Sequence, residues 1–453
     1  MAVLMENEVK KIAVIGSGYV GTTTAAFLAN SGYEVVALDI DSKKVDTLNS
    51  GKSPFYEIGL DELISSGVSK KTLLATASYE EAITDADIVI SCVGTPDNPD
   101  GSSNLEYVFS SAKTAAPFLK NGAVYVQKST VPVGTGKKVI KLLPTHVNYV
   151  SNPEFLREGT AVYDTLLFDR IVVGGENEDA LKKVRCLYKA IQNSAAEISK
   201  ISGGIAGDDI KDHSGKYIST TLESAELIKV TANAFLALKI SFANSIAKLA
   251  DETGADVNGV MDGIGADKRI GRAFLNVGRG YGGGCFPKDV SGLISSSLEY
   301  GVDMPIMTAA TDVNESMAGY IVEKVKKQLG SLSGKRVAVL GLAFKSGTSD
   351  ARKSPAVKIA NFLKSEGAIV SAYDPEANYE AREDLNKEVQ VYDSAESAIE
   401  DAEIVFVATD WPEFENLSWL KKSKNLETVV DCMNCLNKDI IEEQNITYIG
   451  VGR

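Results

Sequence analysis

Lys11-Ile12-Ala13-Val14-Ile15-Gly16-Ser17-Gly18-Tyr19-Val20-Gly21 passes from a short apolar run directly into three spaced glycines. Thr22 to Asn30 then predicts a helix, Gly32-Tyr33 ends it, and Glu34 to Leu38 predicts a second strand closed by Asp39. Strand, glycine turn, helix, strand and acid in that order make a complete dinucleotide-binding unit. The glycines allow a tight turn and close approach of a pyrophosphate to the helix N-terminus. Asp39 stands where a carboxylate accepts from the ribose hydroxyls of NAD and repels the extra phosphate of NADP. The expected cofactor is therefore NAD, held by Gly16, Gly18, Tyr19, Val20, Gly21 and Asp39.

Further βα units follow outward from this one. Ala86 to Val93 ends in Gly94-Thr95-Pro96, and Ala123 to Lys128 ends in Ser129-Thr130-Val131-Pro132-Val133-Gly134. As parallel strands they would present both loops at their carboxyl ends, where ligands bind. Val147 to Ser151 leads into Asn152-Pro153-Glu154-Phe155-Leu156-Arg157-Glu158-Gly159, and Asp169 to Gly174 resumes a strand. Gly203 to Ser219 is polar and glycine-rich and predicts an exposed connector, with His213 as a solvated loop residue. Leu222 to Thr253 predicts one long helix that bridges domains and dimerises. Lys229 and Asn233 lie one turn apart on it among small and apolar neighbours, so both are expected to be buried. A buried lysine needs a partner, and an anion or a substrate oxygen would serve.

Beyond Ser331-Leu332-Ser333-Gly334 the pattern repeats. Lys335 to Leu340, Ala368 to Tyr373 with Asp374, Glu403 to Ala408 and Thr428 to Asp431 predict strands, and Ser354 to Glu366 a helix. This second doubly wound region lacks the third glycine of the fingerprint, so it should take a different nucleotide or take it differently. The fold class is α/β: two Rossmann-like doubly wound domains joined by a long central helix and a helical dimerisation region. The expected boundaries are 1–202, a connector at 203–219, 220–330 and 331–453.

The chain has 453 residues, 44% hydrophobic and 24% charged, with a net charge of -14. Those values describe a soluble globular protein and argue against a nucleic-acid or anionic-membrane partner. No apolar run approaches the roughly 20 residues of a membrane span, and Met1 to Val9 is too short and acidic for a signal peptide. Five scattered cysteines fit a reducing cytoplasm, and two histidines leave little room for a His-based zinc or Ser-His centre. The single Cys432-Met433-Asn434-Cys435 pair has no second pair to complete a metal site, and none is expected.

Gly280-Tyr281-Gly282-Gly283-Gly284-Cys285-Phe286-Pro287-Lys288-Asp289 is the other informative stretch. Pro287 suits the first position of the helix that follows, which places Cys285 at a helix N-terminus. Partial positive charge there favours a thiolate, aided by Lys288 and opposed by Asp289. A glycine-rich turn with a buried cysteine reads equally well from these ten residues.

Taken together, Gly16 to Gly21, Ser129 to Gly134, Asn152 to Gly159, Lys229 with Asn233, Arg269-Ile270-Gly271, Gly282 to Asp289 and Gly341-Leu342-Ala343-Phe344-Lys345 resemble the UDP-glucose/GDP-mannose dehydrogenase family over nearly the whole chain. Asp169 to Gly174 is more similar to the UDP-glucose branch. The resemblance implies four-electron oxidation of a nucleotide-sugar C6 alcohol to a carboxylate, UDP-glucose to UDP-glucuronate, with two NAD used in turn. It implies that Cys285 captures the intermediate aldehyde and that Lys229 and Asn233 hold the oxyanion. Asp289 would manage a proton, and Glu154 with Thr130 would serve the hydrolytic water. The implied cofactor residues also include Lys44, Gly94, Thr95, Thr130, Glu158 and Arg352. The implied substrate residues are Glu154, Phe155, Leu156, Arg157, Lys229, Asn233, Arg269, Tyr281, Gly282 and Lys345. Residues 331–453 would bind the UDP-sugar, and a homodimer or higher homo-oligomer is implied because Arg269 reaches a neighbouring subunit in this family. The family often has Asp-Gly-Arg-Asn near the last strand, whereas this chain has Asp431-Cys432-Met433-Asn434. Dehydrogenases of a UDP-N-acetylhexosamine or of GDP-mannose, and a silent NAD-binding regulator, are the competing readings.

Overall fold

The computed structural model describes residues 9–211 and 213–453. The segment before Val9 and Asp212 of the connector lie outside the described residues. The chain divides into two compact units, one ending at Thr231 and one from Ala232 to Arg453.

The first unit is built on an eight-stranded sheet: β1 Lys11–Ile15, β2 Glu34–Leu38, β3 Leu73–Thr76, β4 Ile88–Ser91, β5 Val124–Gln127, β6 Asn148–Ser151, β7 Arg170–Gly174 and β8 Lys216–Thr220. Their order is β3-β2-β1-β4-β5-β6-β7-β8. Every pair is parallel except β6 with β7, which meet antiparallel at Ser151 and Gly174. β1, β4 and β5 are apolar on both faces because helices cover both. Tyr19–Asn30 packs on one side, where Ala25, Phe27 and Leu28 join Val14, Val35 and Ile90 in the core. Ala13, Val36, Val89 and Tyr125 face the other side, against Val108 and Ala112.

The segment expected to be a connector is partly a strand. Lys216–Thr220 extends the sheet alongside β7. Its exposed alternation gives no apolar run from which to recognise it. His213 is not a solvated loop residue either. It is half-buried, its Nε2 lies 2.9 Å from the Phe168 carbonyl oxygen, and its ring meets that of Phe168 edge-on.

The helix Leu222–Thr253 runs from the first unit into the second. Among the described helices it is the one long and apolar enough to cross a membrane. Glu226, Lys229, Asn233 and Asn244 along it are nevertheless buried, each bonded within the fold.

In the second unit, three further helices, Val257–Gly265, Phe286–Glu299 and Pro305–Leu329, precede a six-stranded parallel sheet. Its strands are β9 Arg336–Leu340, β10 Ile369–Tyr373, β11 Gln390–Val391, β12 Ile404–Val407, β13 Thr428–Asp431 and β14 Thr447–Ile449. The order β11-β10-β9-β12-β13-β14 reverses direction between β9 and β12. One core joins this sheet to the helices: Ala243, Ala247, Met317 and Ile321 pack with Val337, Val339, Leu342 and Phe406.

Candidate active site

The dinucleotide turn folds as its glycines require. Gly16 has φ +94°, and a Cβ there would stand 2.9 Å from the Cys92 carbonyl oxygen. A Cβ on Gly21 would be only 1.8 Å from the Gly16 oxygen. Around Gly18, by contrast, the chain leaves open space, and Gly18 caps the first helix without a side-chain acceptor. Among the described residues, the Ser17 and Thr22 hydroxyls nearby are buried without a partner. An open glycine at a helix N-terminus with unsatisfied donors fits a pyrophosphate. Asp39 follows β2, accepts from the Ser17 N–H at 2.6 Å and the Asp41 N–H at 3.0 Å, and has Lys44 Nζ at 3.7 Å. That carboxylate is thus fixed beside the turn.

Gly94, Thr95 and Thr130 come together at the ends of β4 and β5, where the Thr95 hydroxyl donates to the Thr130 carbonyl at 3.0 Å. Tyr19 reaches a residue that the motifs did not mark. Its hydroxyl lies between the Glu57 carboxylate and the Arg157 carbonyl oxygen. Glu57 also accepts from the Gly159 and Val162 N–H groups, so it ties the dinucleotide turn to the Asn152–Gly159 loop. Burial pushes the Tyr19 hydroxyl far above the ordinary tyrosine value, with Glu57 adding to it. Glu158, on the same loop, adds a smaller contribution.

On that loop Glu154 is buried, and its partner is Lys229, at 3.0 Å. The Leu156 N–H donates to the same carboxylate at 2.5 Å. Burial would raise this carboxyl, but Lys229 and the Leu156 N–H outweigh it and hold the group below the usual range. Two cations lie over the Phe155 ring, the Arg170 guanidinium 3.8 Å and the Lys229 ammonium 5.5 Å from its centre. Arg157 turns to Asp164, at 2.5 Å.

In the second unit Cys285 caps Phe286–Glu299, so Pro287 is the second helical residue rather than the first. Cys285 is exposed, which decides against the buried structural cysteine. Asp289, one turn into the helix, is buried and accepts from Asn233 Nδ2 at 2.6 Å. Lys288 Nζ is 2.6 Å from Asp289, so its charge is directed at that carboxylate. Each member of the Lys229 and Asn233 pair therefore has a carboxylate of the chain as partner, where an anion or substrate oxygen was expected.

The three glycines before Cys285 have a local cause. The segment 344–353 lies against them: added Cβ atoms would stand 2.5 Å from the Lys353 carbonyl at Gly282, 2.9 Å from the Phe344 ring at Gly283 and 2.6 Å from Arg352 Nη2 at Gly284. Tyr281 is clamped by Asn314, which accepts from its N–H at 2.7 Å and donates to its carbonyl at 3.0 Å. Arg352 pairs with Asp350 at 2.6 Å, and the Lys345 ammonium lies over the Phe344 ring. Arg269 is exposed and bonded to Asp267 on its own turn, and among the described residues no hydrogen bond or ion pair brings it to the other site residues of its unit.

Two buried groups escaped the sequence reading. Arg279 is 1% exposed, and its Nη2 donates to the carbonyls of Ala343 and Phe344 and to the Thr409 hydroxyl at 3.0–3.1 Å. Burial pushes this guanidinium down to about 10. Glu226 accepts from the Gly134 and Gly136 N–H groups at 2.7 Å each, closing the loop after β5. Neither has a local signal, because their partners lie far along the chain.

Comparison with known proteins matches the whole of this architecture. The NAD binding domain of the UDP-glucose/GDP-mannose dehydrogenase family matches residues 10–192, its central domain 223–316 and its UDP binding domain 338–438. The chain belongs to this family. It is 39% identical to UDP-glucose 6-dehydrogenase TuaD of Bacillus subtilis (strain 168), covering 98% of this chain and 93% of that protein. It is 37% identical to UDP-glucose 6-dehydrogenase of Rhizobium meliloti (strain 1021), covering 98% and 99%. A solved UDP-glucose dehydrogenase from Pyrobaculum islandicum superposes with a TM-score of 0.86 at 34% identity, covering 98% of each chain. The protein is thus an NAD-dependent oxidoreductase with a UDP-binding domain, as the motifs implied.

Proposed function

We propose that this enzyme oxidises the C6 hydroxyl of UDP-glucose to the carboxylate of UDP-glucuronate, keeping the intermediate aldehyde bound. The observation that carries this is Cys285, an exposed thiol at the head of a helix whose next turn holds the buried Asp289, bonded to Asn233 of the long helix. NAD, when bound, accepts the hydride lost from C6 in each oxidation. Asp289 takes the proton of the alcohol through water, and Lys229 and Asn233 donate to the C6 oxygen as charge develops there. The Cys285 sulfur adds to the aldehyde carbon, giving a thiohemiacetal whose oxidation leaves a thioester. Water attacks the thioester carbon, its proton goes to Glu154 with Thr130 assisting, and the carbon–sulfur bond breaks to return the cysteine. Gly16 to Gly21, Asp39, Lys44, Gly94, Thr95, Thr130, Glu158 and Arg352 are assigned to the cofactor. Phe155, Leu156, Arg157, Arg269, Tyr281, Gly282 and Lys345 are assigned to the sugar nucleotide.

We further propose a cytoplasmic homodimer. Its support is the exposed stripe Phe235, Phe242 and Leu249, spaced by seven residues along one helix face. We keep the division at 202, 219 and 330 as the functional one.

About two NADH per UDP-glucose consumed is the expected stoichiometry, with Cys285→Ser abolishing turnover. One NADH with free aldehyde released overturns the reading. Met433, at the position where the family often has arginine, weakens the assignment of the exact sugar, and a UDP-N-acetylhexosamine is the second candidate. A solved UDP-D-ManNAc dehydrogenase from Pyrococcus horikoshii, 28% identical with a TM-score of 0.82, points the same way. Initial rates with a panel of sugar nucleotides separate the two.

A further inference from the structure

Lys128, immediately after β5, is 5% exposed, and among the described residues no carboxylate lies within ion-pair distance of it. Its Nζ donates to the Tyr188 hydroxyl at 2.8 Å. That hydroxyl donates in turn to Asn152 Oδ1 at 2.5 Å, and Asn152 Nδ2 donates to the Val172 carbonyl at 2.8 Å. The relay joins β5, the helix Glu178–Ile201, the end of β6 and β7, and it terminates two residues before Glu154. A buried ammonium is costly to desolvate and persists where its charge or its bonds are used.

The groups facing Glu154 make that charge meaningful. Lys229 approaches it from the long helix at 3.0 Å, Lys128 from the end of β5, and Arg170 from β7, stacked on Phe155. Cys92 faces it from the end of β4, its thiol pushed up to about 12 by burial and therefore neutral. One cation is thus paired with this carboxylate, and two more act on it at longer range.

We propose that Lys128 is a positioning residue for Glu154: through Tyr188 and Asn152 it fixes the turn that carries the carboxylate, and its charge favours the ionised form that accepts a proton from water. This rests on the assignment of Glu154 as the base. Lys128 also lowers the Glu154 carboxyl directly, after the larger contributions of burial, Lys229 and the Leu156 N–H.

The test uses the full chain with Lys128→Met, Lys128→Arg and Tyr188→Phe. In Lys128→Met the acid limb of the kcat profile should move up by about one pH unit, equal to a tenfold change in proton affinity, and Lys128→Arg should restore it. An infrared titration of the Glu154 carboxyl in ¹³C-glutamate protein, with Glu154→Gln subtracted, should show the same displacement without substrate. That readout separates a failure here from a failure of the UDP-glucose reading, which would appear as absent NADH in the parent enzyme. An unmoved carboxyl titration in folded Lys128→Met overturns the proposal. If that variant does not fold, Tyr188→Phe decides, since it keeps every charge. It should lower kcat about tenfold with the KM for the sugar nucleotide within about twofold, and an unchanged kcat overturns the proposal.

Discussion

After β1 and after β9 the chain makes the same turn. The Gly16 N–H donates to the Leu38 carbonyl at 2.7 Å, and the Gly341 N–H to the Tyr373 carbonyl at 2.8 Å. Both glycines have φ near +95° and lie where the sheet reverses, Gly16 against Cys92 and Gly341 against Thr409. Both second strands end in an aspartate that accepts from the turn: Asp39 from Ser17, Asp374 from Leu342 and Ala343. The divergence begins one residue later. After Gly16 a helix starts at Tyr19 and aims its N-terminus at the crevice, whereas after Gly341 no helix starts until Pro355. Asp374 is 0% exposed and also receives the Glu376, Ala377 and Trp411 N–H groups. Arg279 fills the remaining space at the ends of β9 and β12. The first crossover thus opens on a helix N-terminus, whereas the second, in the UDP-binding domain, is bordered by the buried Asp374 and Arg279. The missing third glycine was a small sign of this larger difference.

The comparison can be broken most severely at the first turn. Gly21→Ala should cost about 3 kcal/mol or more in unfolding free energy and abolish NAD binding, because the new methyl overlaps the Gly16 carbonyl. Gly18→Ala should leave stability within about 0.5 kcal/mol yet weaken NAD at least about tenfold by calorimetry, and unchanged affinity would remove the pyrophosphate assignment. The two aspartates come next. Asp374→Asn should cost about 2–4 kcal/mol in urea unfolding with NAD affinity intact, while Asp39→Asn should reverse that pattern. Equal effects at both would mean that the two crevices are not functionally different.

The smallest effect concerns the loop after β5. Burial lifts Glu226 to about 7, against the pull of the Gly136 and Gly134 N–H groups. The native state then binds this proton more tightly than the unfolded chain, whose value is near 4.5. The resulting stability is present below about 4.5 and is lost as pH rises to about 7 and beyond, an effect of order 2 kcal/mol. In Glu226→Gln, urea unfolding should lack that slope; an identical pH dependence in both proteins would contradict the assignment.

Much of this was legible in the residues. Lys11–Ile15, Glu34–Leu38 and Leu222–Thr253 have the predicted bounds, because apolar runs and capping glycines delimit them locally. The strands Lys216–Thr220, Gln390–Val391 and Thr447–Ile449 were not, since they are short, partly exposed and form sheet edges. Within the site, position alone singled out Lys229 and Asn233, while Cys285 and Asp289 took their roles from the family resemblance. What tertiary folding added was the identity of partners: Glu154 for Lys229 and Asp289 for Asn233. Glu57, Lys128 and Glu226 sit in ordinary-looking sequence and acquire meaning from groups distant in the chain.

Cys285 is the exposed cysteine of the five; Cys92 and Cys432 are buried and Cys186 and Cys435 half-buried. A bulky thiol reagent therefore has one preferred target per chain. The fast phase of its reaction counts competent active sites directly, before any sugar nucleotide has been chosen, and turns each preparation's turnover into a rate per working site.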